Sequence, residues 1–314
     1  DYTFIWFYLD DTDIAYFSSG RLPLRAEGVE PDLPRWGDAR YDWPGWLPDT
    51  AHPQQTNPPS GQLVSWNNKP APGFAAADDQ WGHGPVHRSQ PLDTRVARVS
   101  TLPALVGAVQ DAATVDTRAE RVLPALLDAL NPAHGDGAAG PDDPLLAEAV
   151  ALLRGWSGHR EDRDRDGTYT DAAAIALFDQ WWADGVAREV LRGTLGPLTD
   201  ELPQTLDDHP HQGIGSAFNS VAWYGYLVED LSGHNWHRRY CGSGDPPTCT
   251  AQLRASLTAA ARRALAQHSV TELTALTYDK STDTIRPVTA GVVATRPIDW
   301  QNRPTFQQVA RFNS

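Results

Sequence analysis

The order of residue patterns along this 314-residue chain predicts a mixed protein of the α+β class. Apolar runs with the texture of strands lie near both ends of the chain, and a long block rich in alanine and leucine separates them. Such a block is typical of packed helices. Because the terminal strands can join one sheet, we expect strands and loops over 1–95, a mainly helical region over 96–285 and returning strands over 286–314.

Two short apolar runs at the start of the chain predict a hairpin. The runs FIWFYL (4–9) and DIAYFS (13–18) flank the tight acidic turn DDT. Residues 20–62 are then rich in Pro, Gly, Asp and Trp without any period, which favours a long ordered loop that leads into a short strand over 62–66. Tryptophans are expected to supply the packing of this loop, namely Trp36, Trp43 and Trp46.

Apolar residues recur at helical spacing through the alanine- and leucine-rich block. Helices also fit 114–130, 214–230 and 250–267. Two helices are clearest, one around 146–153 and one around 175–186. Gly193 is expected to end the second of them, and Trp181 in that helix is expected to lie in the core. The residues that share a face in those two helices are Leu146, Ala149, Val150 and Leu153 in the first, and Ile175, Phe178, Trp182 and Val186 in the second.

Composition excludes several classes of partner. The formal net charge of −14 argues against nucleic acid or an anionic membrane as a ligand, because phosphate binding needs clustered cations. The chain has no apolar run of 18 residues, so we expect no membrane span. It also contains no methionine, and Asp1 opens what reads as the interior of a strand, so we expect it to be a piece of a longer protein.

The two cysteines, Cys241 and Cys249, lie in the segment YCGSGDPPTCT. The turn-forming residues between them can bring the two thiols together, which favours a disulfide over two unpaired thiols. A disulfide predicts a protein that works outside the reducing cytosol. A metal site would need further ligands at metal spacing.

Three motifs carry a resemblance to a known family. The segments SWNNKPAPGF, QWGHGPVHRSQPLD and PIDWQNRPTFQQVARF resemble the C-terminal part of the β-chain of the penicillin acylase (penicillin amidase) family of N-terminal-nucleophile hydrolases. The resemblance covers essentially the whole chain in order. It is strongest over 1–95 and 297–312.

The resemblance implies an αββα sandwich with a large helical insertion, and a precursor that cleaves itself. A new N-terminal serine would then attack an acyl amide, with its own α-amine as the base. Residue 1 is Asp1, so the nucleophile is expected on a segment upstream of this chain. The implied partners are the α-chain and the N-terminal part of the β-chain. The expected disulfide, and not the resemblance, predicts an extracytoplasmic location. Catalysis would need no cofactor.

Four residues match functional positions of the family. Asn67 matches the asparagine whose amide helps to form the oxyanion hole, and Arg88 matches an arginine that orients the catalytic groups. Asp78 and the carbonyl of Pro31 match two ligands of a structural calcium ion. Three of them have a simpler interpretation: Asn67 as a turn-capping residue, Arg88 as a solvated arginine and Asp78 as part of an acidic turn. The adjacent Asn68 is expected to hydrogen-bond the loop backbone.

Aromatic residues near Asn67 can line a pocket for an apolar acyl group. The candidates for this role are Trp46, Trp66, Phe74 and Trp81. Packing in the core is the alternative for each of them.

Two other motifs invite a metal. The loop 162–173 places aspartates where an EF-hand does, but Ala173 stands where a bidentate glutamate is needed, so we interpret it as an acidic surface loop. Zinc is disfavoured for the histidine-bearing segments DDHPHQG and HNWH, which lack metal-binding spacing.

Two rival functions stay open: a catalytically inactive homologue that binds or scaffolds, and an enzyme that transfers the acyl group to an amine.

Overall fold

A computed structural model describes most of the chain, and the chain divides into two compact units. The first unit comprises 1–109 with 308–314, and the second comprises 110–307. The described residues are 4–29, 33–66, 68–71, 74, 86–131, 143–183, 186, 193–197, 224–234, 239–285 and 297–300.

Strands come first along the chain and a helical block follows them, as predicted. The strands are β1 (Phe4–Leu9), β2 (Ile14–Ser19) and β3 (Gln54–Thr56). The helices are α1 (Val86–Val96), α2 (Leu102–Thr114), α3 (Thr117–Arg121), α4 (Leu123–Ala129), α5 (Pro144–Gly155), α6 (Ala172–Ala183), α7 (Tyr224–Ser232) and α8 (Pro246–His268). The α+β class is therefore confirmed. None of the helices that the structure describes has the length and hydropathy needed to cross a membrane.

The predicted hairpin is confirmed, with β2 beginning one residue later than expected. β1 and β2 pair in antiparallel register from Phe4↔Ser19 to Leu9↔Ile14. The turn is closed by Asp10, whose Oδ1 accepts from the backbone N–H groups of Thr12 and Asp13 at 2.8 and 2.7 Å. Such aspartate-centred turns satisfy backbone donors that the ladder leaves open.

The region 20–62 differs from the expected loop in two respects. It contains β3, which pairs antiparallel with β2 and makes a sheet of order β1-β2-β3. Its order also comes from backbone pairing, since the Leu24 N–H donates to the Gly45 carbonyl and the Leu47 N–H to the Leu22 carbonyl. The prediction that tryptophans pack this loop holds in part. The rings of Trp43 and Trp46 meet edge to face at 5.7 Å, although both stay about half exposed, whereas Trp36 is 81% exposed.

The short strand predicted over 62–66 is also wrong, because these residues have no strand geometry. The side chain of Gln62 bonds to a helix and that of Asn68 bonds back to Trp66. Side-chain hydrogen bonds thus replace a strand ladder in this segment.

The core of the second unit is helical, and α6 packs against both α5 and α8. The predicted faces of α5 and α6 are confirmed: Val150 packs at the edge of the core and the other seven residues are buried. Trp181 is buried as well, as expected. Each large apolar side chain buried in this way contributes about 1.5–3 kcal/mol. Asp143 and Asp245 cap α5 and α8 by accepting from the N–H groups of Leu145 and Thr248.

The single helix predicted over 114–130 is instead the end of α2 followed by α3 and α4. Residues 114–116 pair with 158–160, since the Asp116 N–H donates to the Gly158 carbonyl and the Arg160 N–H to the Thr114 carbonyl. This short antiparallel contact interrupts the helix. Asp116 then caps α3 by accepting from the N–H of Arg118.

Other helix predictions have mixed outcomes. The helix over 250–267 is confirmed within α8, and the described part of 214–230 is confirmed by α7, while 214–223 lies outside the described residues. The prediction that Gly193 ends a helix is wrong, because 193–195 have helical backbone. Of the C-terminal strands, the structure describes one bridge, Ile285↔Ile298, and the segments 286–296 and 301–314 lie outside the described residues.

The predicted disulfide is confirmed: Cys241 and Cys249 are bonded, with their Cα atoms 5.0 Å apart. The bond fixes the start of α8 to the turn before it. Gly242 makes this closure feasible, because its φ is +63° and a Cβ there would collide with the backbone of Cys249.

Candidate active site

Asn68 holds the segment that carries the candidate catalytic asparagine. Its Oδ1 accepts from the Trp66 N–H at 2.9 Å, and its Nδ2 donates to the Lys69 carbonyl at 3.2 Å. The first bond links the residues on either side of position 67, and the second links Asn68 to the residue after it. The prediction that Asn68 bonds the loop backbone is confirmed, and the turn continues to Phe74, whose N–H donates to the Ala71 carbonyl.

The same segment is bonded to the helix that carries Arg88. Gln62, five residues before Asn67, donates from Nε2 to the Asp93 Oδ1 at 2.6 Å and to the Asp93 carbonyl at 3.1 Å. Asp93 lies on α1 five residues after Arg88. One glutamine therefore links the segment before position 67 to helix α1.

Some predicted site residues can be placed and others cannot. Arg88 lies in the first turn of α1, and Trp66 and Phe74 are half-buried on either side of the braced turn. Trp46 is 46% exposed in the preceding loop. The remaining predicted residues lie outside the described residues, namely Pro31, Asn67, Asp78 and Trp81.

A cavity in the first unit lies in the aromatic loop and not beside the braced turn. It has a volume of about 220 Å³, and its lining includes Arg25, Trp36, Tyr41 and Trp43. The Arg25 guanidinium lies 5.7 Å from the centre of the Trp43 ring. Trp66 and Phe74 take no part in this cavity, so their assignment to an acyl pocket stays a prediction.

The acidic loop at 162–166 is held from within and by a lysine. The carboxylates of Asp162, Asp164 and Asp166 lie within 4.8 Å of one another. Lys280 donates to Asp162 Oδ2 at 2.7 Å, and this hydrogen bond lowers the pKa of Asp162. The Gly167 N–H donates to the same oxygen. An ammonium group thus already neutralises the first aspartate, in keeping with an acidic surface loop.

A buried cluster of charged residues in the second unit was not predicted. Arg118 and Arg160 both contact Asp116, and both donate to Asp179 Oδ1, at 2.7 and 2.6 Å. Arg160 also donates to Asp283 Oδ2 at 2.9 Å. Both guanidinium groups are almost wholly buried. Arginine is usually a surface residue, and nothing in the local pattern of DTR or GHRED distinguishes a buried one.

Two tyrosines complete this ion cluster, which we define as Asp116, Arg118, Arg160, Asp179 and Asp283 with Tyr169 and Tyr278. The hydroxyls of Tyr169 and Tyr278 donate to the two oxygens of Asp283 at 3.0 and 2.8 Å. Burial, together with the carboxylates, raises the pKa of each tyrosine well above its usual range. Both hydroxyls therefore stay protonated donors.

The electrostatic balance of the ion cluster favours its charged form. Burial alone would raise the pKa of Asp116, but the charges of Arg118 and Arg160 outweigh it and hold that pKa well below the usual range. Burial alone would likewise lower the pKa of each arginine, and the neighbouring aspartates raise it instead. The cluster is a structural element of the helical unit.

The fold defines the class of protein. The structure is similar to that of a thermostable penicillin G acylase from Alcaligenes faecalis, with a TM-score of 0.71 and 22% identity. The match covers 96% of this chain and 54% of that chain. At this identity the likeness concerns the fold, which is that of a penicillin acylase. The chain spans little more than half the length of this solved relative.

The family follows from the sequence itself. Residues 2–309 match the model of the penicillin amidase family, so the chain belongs to that family of amide hydrolases. It is 39% identical over 77 residues to penicillin G acylase of Escherichia coli, and 38% identical over 63 residues to the acyl-homoserine lactone acylase QuiP of Pseudomonas fluorescens. These matches cover 24% and 20% of this chain, and 9% and 8% of the two relatives.

Proposed function

We propose that this chain is part of an amidohydrolase that cleaves an acyl amide through an N-terminal nucleophile supplied by a segment upstream of it. The observation that carries the proposal is the family match over residues 2–309. The braced turn at Asn68 and the tie from Gln62 to α1 support it, because a catalytic constellation needs rigid elements to hold its groups.

The reaction proceeds by acyl transfer to the nucleophile and then to water. The hydroxyl oxygen of the upstream serine attacks the amide carbonyl carbon, and its proton passes to the serine's own α-amine. The carbonyl oxygen becomes an oxyanion, the carbon–nitrogen bond breaks, and the amine leaves with the proton. Water then attacks the acyl ester, which releases the acid and restores the serine.

Asn67 contributes an N–H donor to the oxyanion. An amide held in place stabilises the developing negative charge and does not compete as a nucleophile or base. The two bonds of Asn68 on either side of this position support such a role, because they limit the movement of the turn. Loss of an oxyanion donor costs about 10²–10³ in rate.

Arg88 positions the catalytic groups. Its guanidinium is always charged and offers several donors in a fixed plane, which suits it to orient a carbonyl or an amine. Its place on α1, a helix bonded to the Asn67 segment through Gln62, supports this role. The half-buried Trp66 and Phe74 beside the turn would contact the acyl group, together with Trp46 and Trp81.

A structural calcium ion belongs to the same proposal, and it takes no part in the chemical steps. Asp78 and the Pro31 carbonyl offer hard oxygen atoms, the donors that calcium prefers. Calcium takes about six to eight such oxygens, so other parts of the protein would supply the rest. When bound, the ion would tie the long loop to the segment after Asn67. Catalysis itself needs no cofactor.

The assembly and its location are proposed as well. The partners are the α-chain and the N-terminal segment of the β-chain, which arise from one precursor by self-cleavage, and the chain supplies one part of an αββα sandwich. The disulfide between Cys241 and Cys249 supports an extracytoplasmic location, since reducing compartments keep cysteines as free thiols. The negative net charge disfavours nucleic acid as a partner.

The test uses the native protein with all chains that copurify with this one. Each chain is characterised by intact mass and N-terminal sequencing, and amine release is measured on a panel of acyl amides of different acyl length. We expect turnover and a bound chain that begins with serine. An intact assembly that releases no amine from any probe refutes the proposal. Faster product formation with added amine acceptors than with water indicates acyl transfer.

A further inference from the structure

The aromatic loop of the first unit carries a cavity that the proposed chemistry does not use. The cavity has a volume of about 220 Å³, and its lining includes Trp36, Tyr41 and Trp43. Trp36 and Trp43 are 81% and 53% exposed. Aromatic rings gain much free energy when they are covered. Rings left exposed around a hollow therefore indicate a ligand that packs on them.

The cavity also offers one cation and one carboxylate to a ligand. The Arg25 guanidinium lies over the Trp43 ring at 5.7 Å and makes no hydrogen bond or ion pair within the described part of the chain. The side chain of Asp42 likewise has no partner among the described residues. Asp38, by contrast, is paired with Arg40 at 3.0 Å. Arg25 and Asp42 thus provide a donor and an acceptor at the same cavity.

Backbone and ring contacts hold the loop around the cavity. The Leu24 N–H donates to the Gly45 carbonyl at 2.9 Å, which joins the residue before Arg25 to the turn that follows Trp43. The rings of Trp43 and Trp46 meet edge to face at 5.7 Å. A site that is formed before its ligand arrives loses less entropy on binding.

The charges at the cavity favour a ligand that is polar but has no net charge. The lining contains two arginines, Arg25 and Arg35, and two aspartates, Asp38 and Asp42. A charged ligand would be attracted by one pair and repelled by the other. A neutral ligand with hydroxyl groups can instead accept a hydrogen bond from Arg25 and donate one to Asp42.

We infer that this cavity binds a single neutral sugar ring. A face of a pyranose presents C–H groups, which pack on the flat rings of Trp36 and Trp43. The edge of the pyranose carries hydroxyls that both donate and accept, as Asp42 and Arg25 require. The cavity is smaller than the range of about 300–1,000 Å³ that drug-sized ligands occupy, which suits one ring. The inference goes beyond the proposed amidase activity and does not depend on it.

Ligand-observed NMR on the native assembly tests the inference, with methyl β-D-glucopyranoside as the probe. We expect saturation transfer from the protein to the ring C–H protons of the probe, with a Kd on the order of 1 mM for so small a ligand. Trp36→Ala removes a stacking face and should weaken binding at least about 10-fold. Trp36→Phe keeps a flat ring and should retain most of the affinity. Val106→Ala is the control, since Val106 is 49% exposed on α2.

A second variant tests the contact with the sugar hydroxyls. Asp42→Ala removes the charged acceptor, and we expect at least about 10-fold weaker binding of the same probe, because hydrogen bonds to charged groups are the stronger ones. Asp49→Ala is the matched control, since Asp49 is an exposed aspartate a few residues further along that does not line the cavity. Thermal denaturation verifies that each variant is folded.

Three outcomes would overturn the inference. The first is an assembly that binds no methyl β-D-glucopyranoside at about 20 mM, well above the expected Kd. The second is binding that Trp36→Ala leaves unchanged, which places the sugar elsewhere on the protein. The third is tighter binding of the anionic methyl β-D-glucuronide or of cationic glucosamine than of the neutral glucoside. Amide turnover is a separate measurement, and we expect Trp36→Ala to leave it at the wild-type rate.

Discussion

One side chain, the amide of Asn68, fixes the turn that follows Trp66. Its two hydrogen bonds, to the Trp66 N–H and the Lys69 carbonyl, are worth about 0.5–1.5 kcal/mol each. Asn68→Ala should therefore lower the free energy of unfolding of the first unit by about 1–3 kcal/mol. Thermal denaturation of the assembly measures this effect. Gln55→Ala, on the exposed strand β3, is the control, and an equal effect of both variants would contradict the role of Asn68.

Arg160 is a charged residue whose side chain is buried in the helical core of the second unit. Replacing it by methionine leaves the carboxylates of Asp116, Asp179 and Asp283 with one cation fewer. Removal of one partner from a buried ion network costs about 3–5 kcal/mol. We expect Arg160→Met to destabilise the second unit by this amount in urea denaturation.

Arg163→Met is the matched control for this variant. Arg163 lies three residues further along, its side chain is 48% exposed, and it pairs with Glu161 at 3.2 Å. Surface pairs contribute about 0–1 kcal/mol, so the control should lose no more than that. If the two variants lose equal stability, the ion cluster does not stabilise the fold in the way described.

Elements of the second unit are joined by the ion cluster and by apolar packing together. The cluster connects the start of α3, the middle of α6 and Asp283, which follows the helical turn Lys280–Thr282. The rings of Phe178 and Trp182 on α6 lie against the Arg118 guanidinium at 5.4 and 5.5 Å. Such stacking shields the charges from water and links electrostatic to apolar stabilisation.

The ion cluster predicts how the stability of these elements depends on pH. The pKa of Asp116 is lower in the folded state than its unfolded value of about 3.9. The unfolded chain therefore binds the proton first on acidification. The contribution of Asp116 is fully present above about pH 5 and is lost as the pH falls through 3.9 towards the folded pKa.

Asp116→Asn should remove this part of the acid sensitivity. We expect the wild type to lose stability more steeply than the variant between about pH 5 and pH 3, in urea titrations of the two proteins. Asp164→Asn, in the exposed acidic loop, is the control and should keep the wild-type slope. Parallel curves for the wild type and Asp116→Asn would show that the pairing does not govern acid unfolding.

Helices with a clear apolar period were predicted well, while their interruptions were not. The faces of α5 and α6 follow from spacing alone, because burial of that face determines the packing. The split of 114–130 depends on a contact with 158–160, which no local pattern encodes. Likewise β3 is three residues long and owes its geometry to β2, so propensity could not identify it.

For the molecule as a whole, sequence motifs identify the family. The contacts in the structure account for only part of the candidate site. The segment SWNNKPAPGF gave Asn67 as a candidate by resemblance, and spacing alone would have favoured a capping residue. The role of Asn68 as a brace of the loop was predicted, whereas the bonds from Gln62 to Asp93 became visible only with the fold. The buried Arg118 and Arg160 could not be predicted, since their partners lie far apart in sequence.

The most direct test is the turnover rate of Asn67→Ala in the fully assembled enzyme. Asn67 is proposed to donate to the oxyanion, and Asn68 to hold the turn, so the adjacent variant Asn68→Ala provides the comparison. We expect Asn67→Ala to lose about 10²–10³ in kcat with no change in Tm or chain composition. Asn68→Ala should lower Tm and keep most of the kcat. Wild-type turnover by assembled Asn67→Ala would contradict its catalytic role and the mechanism built on it.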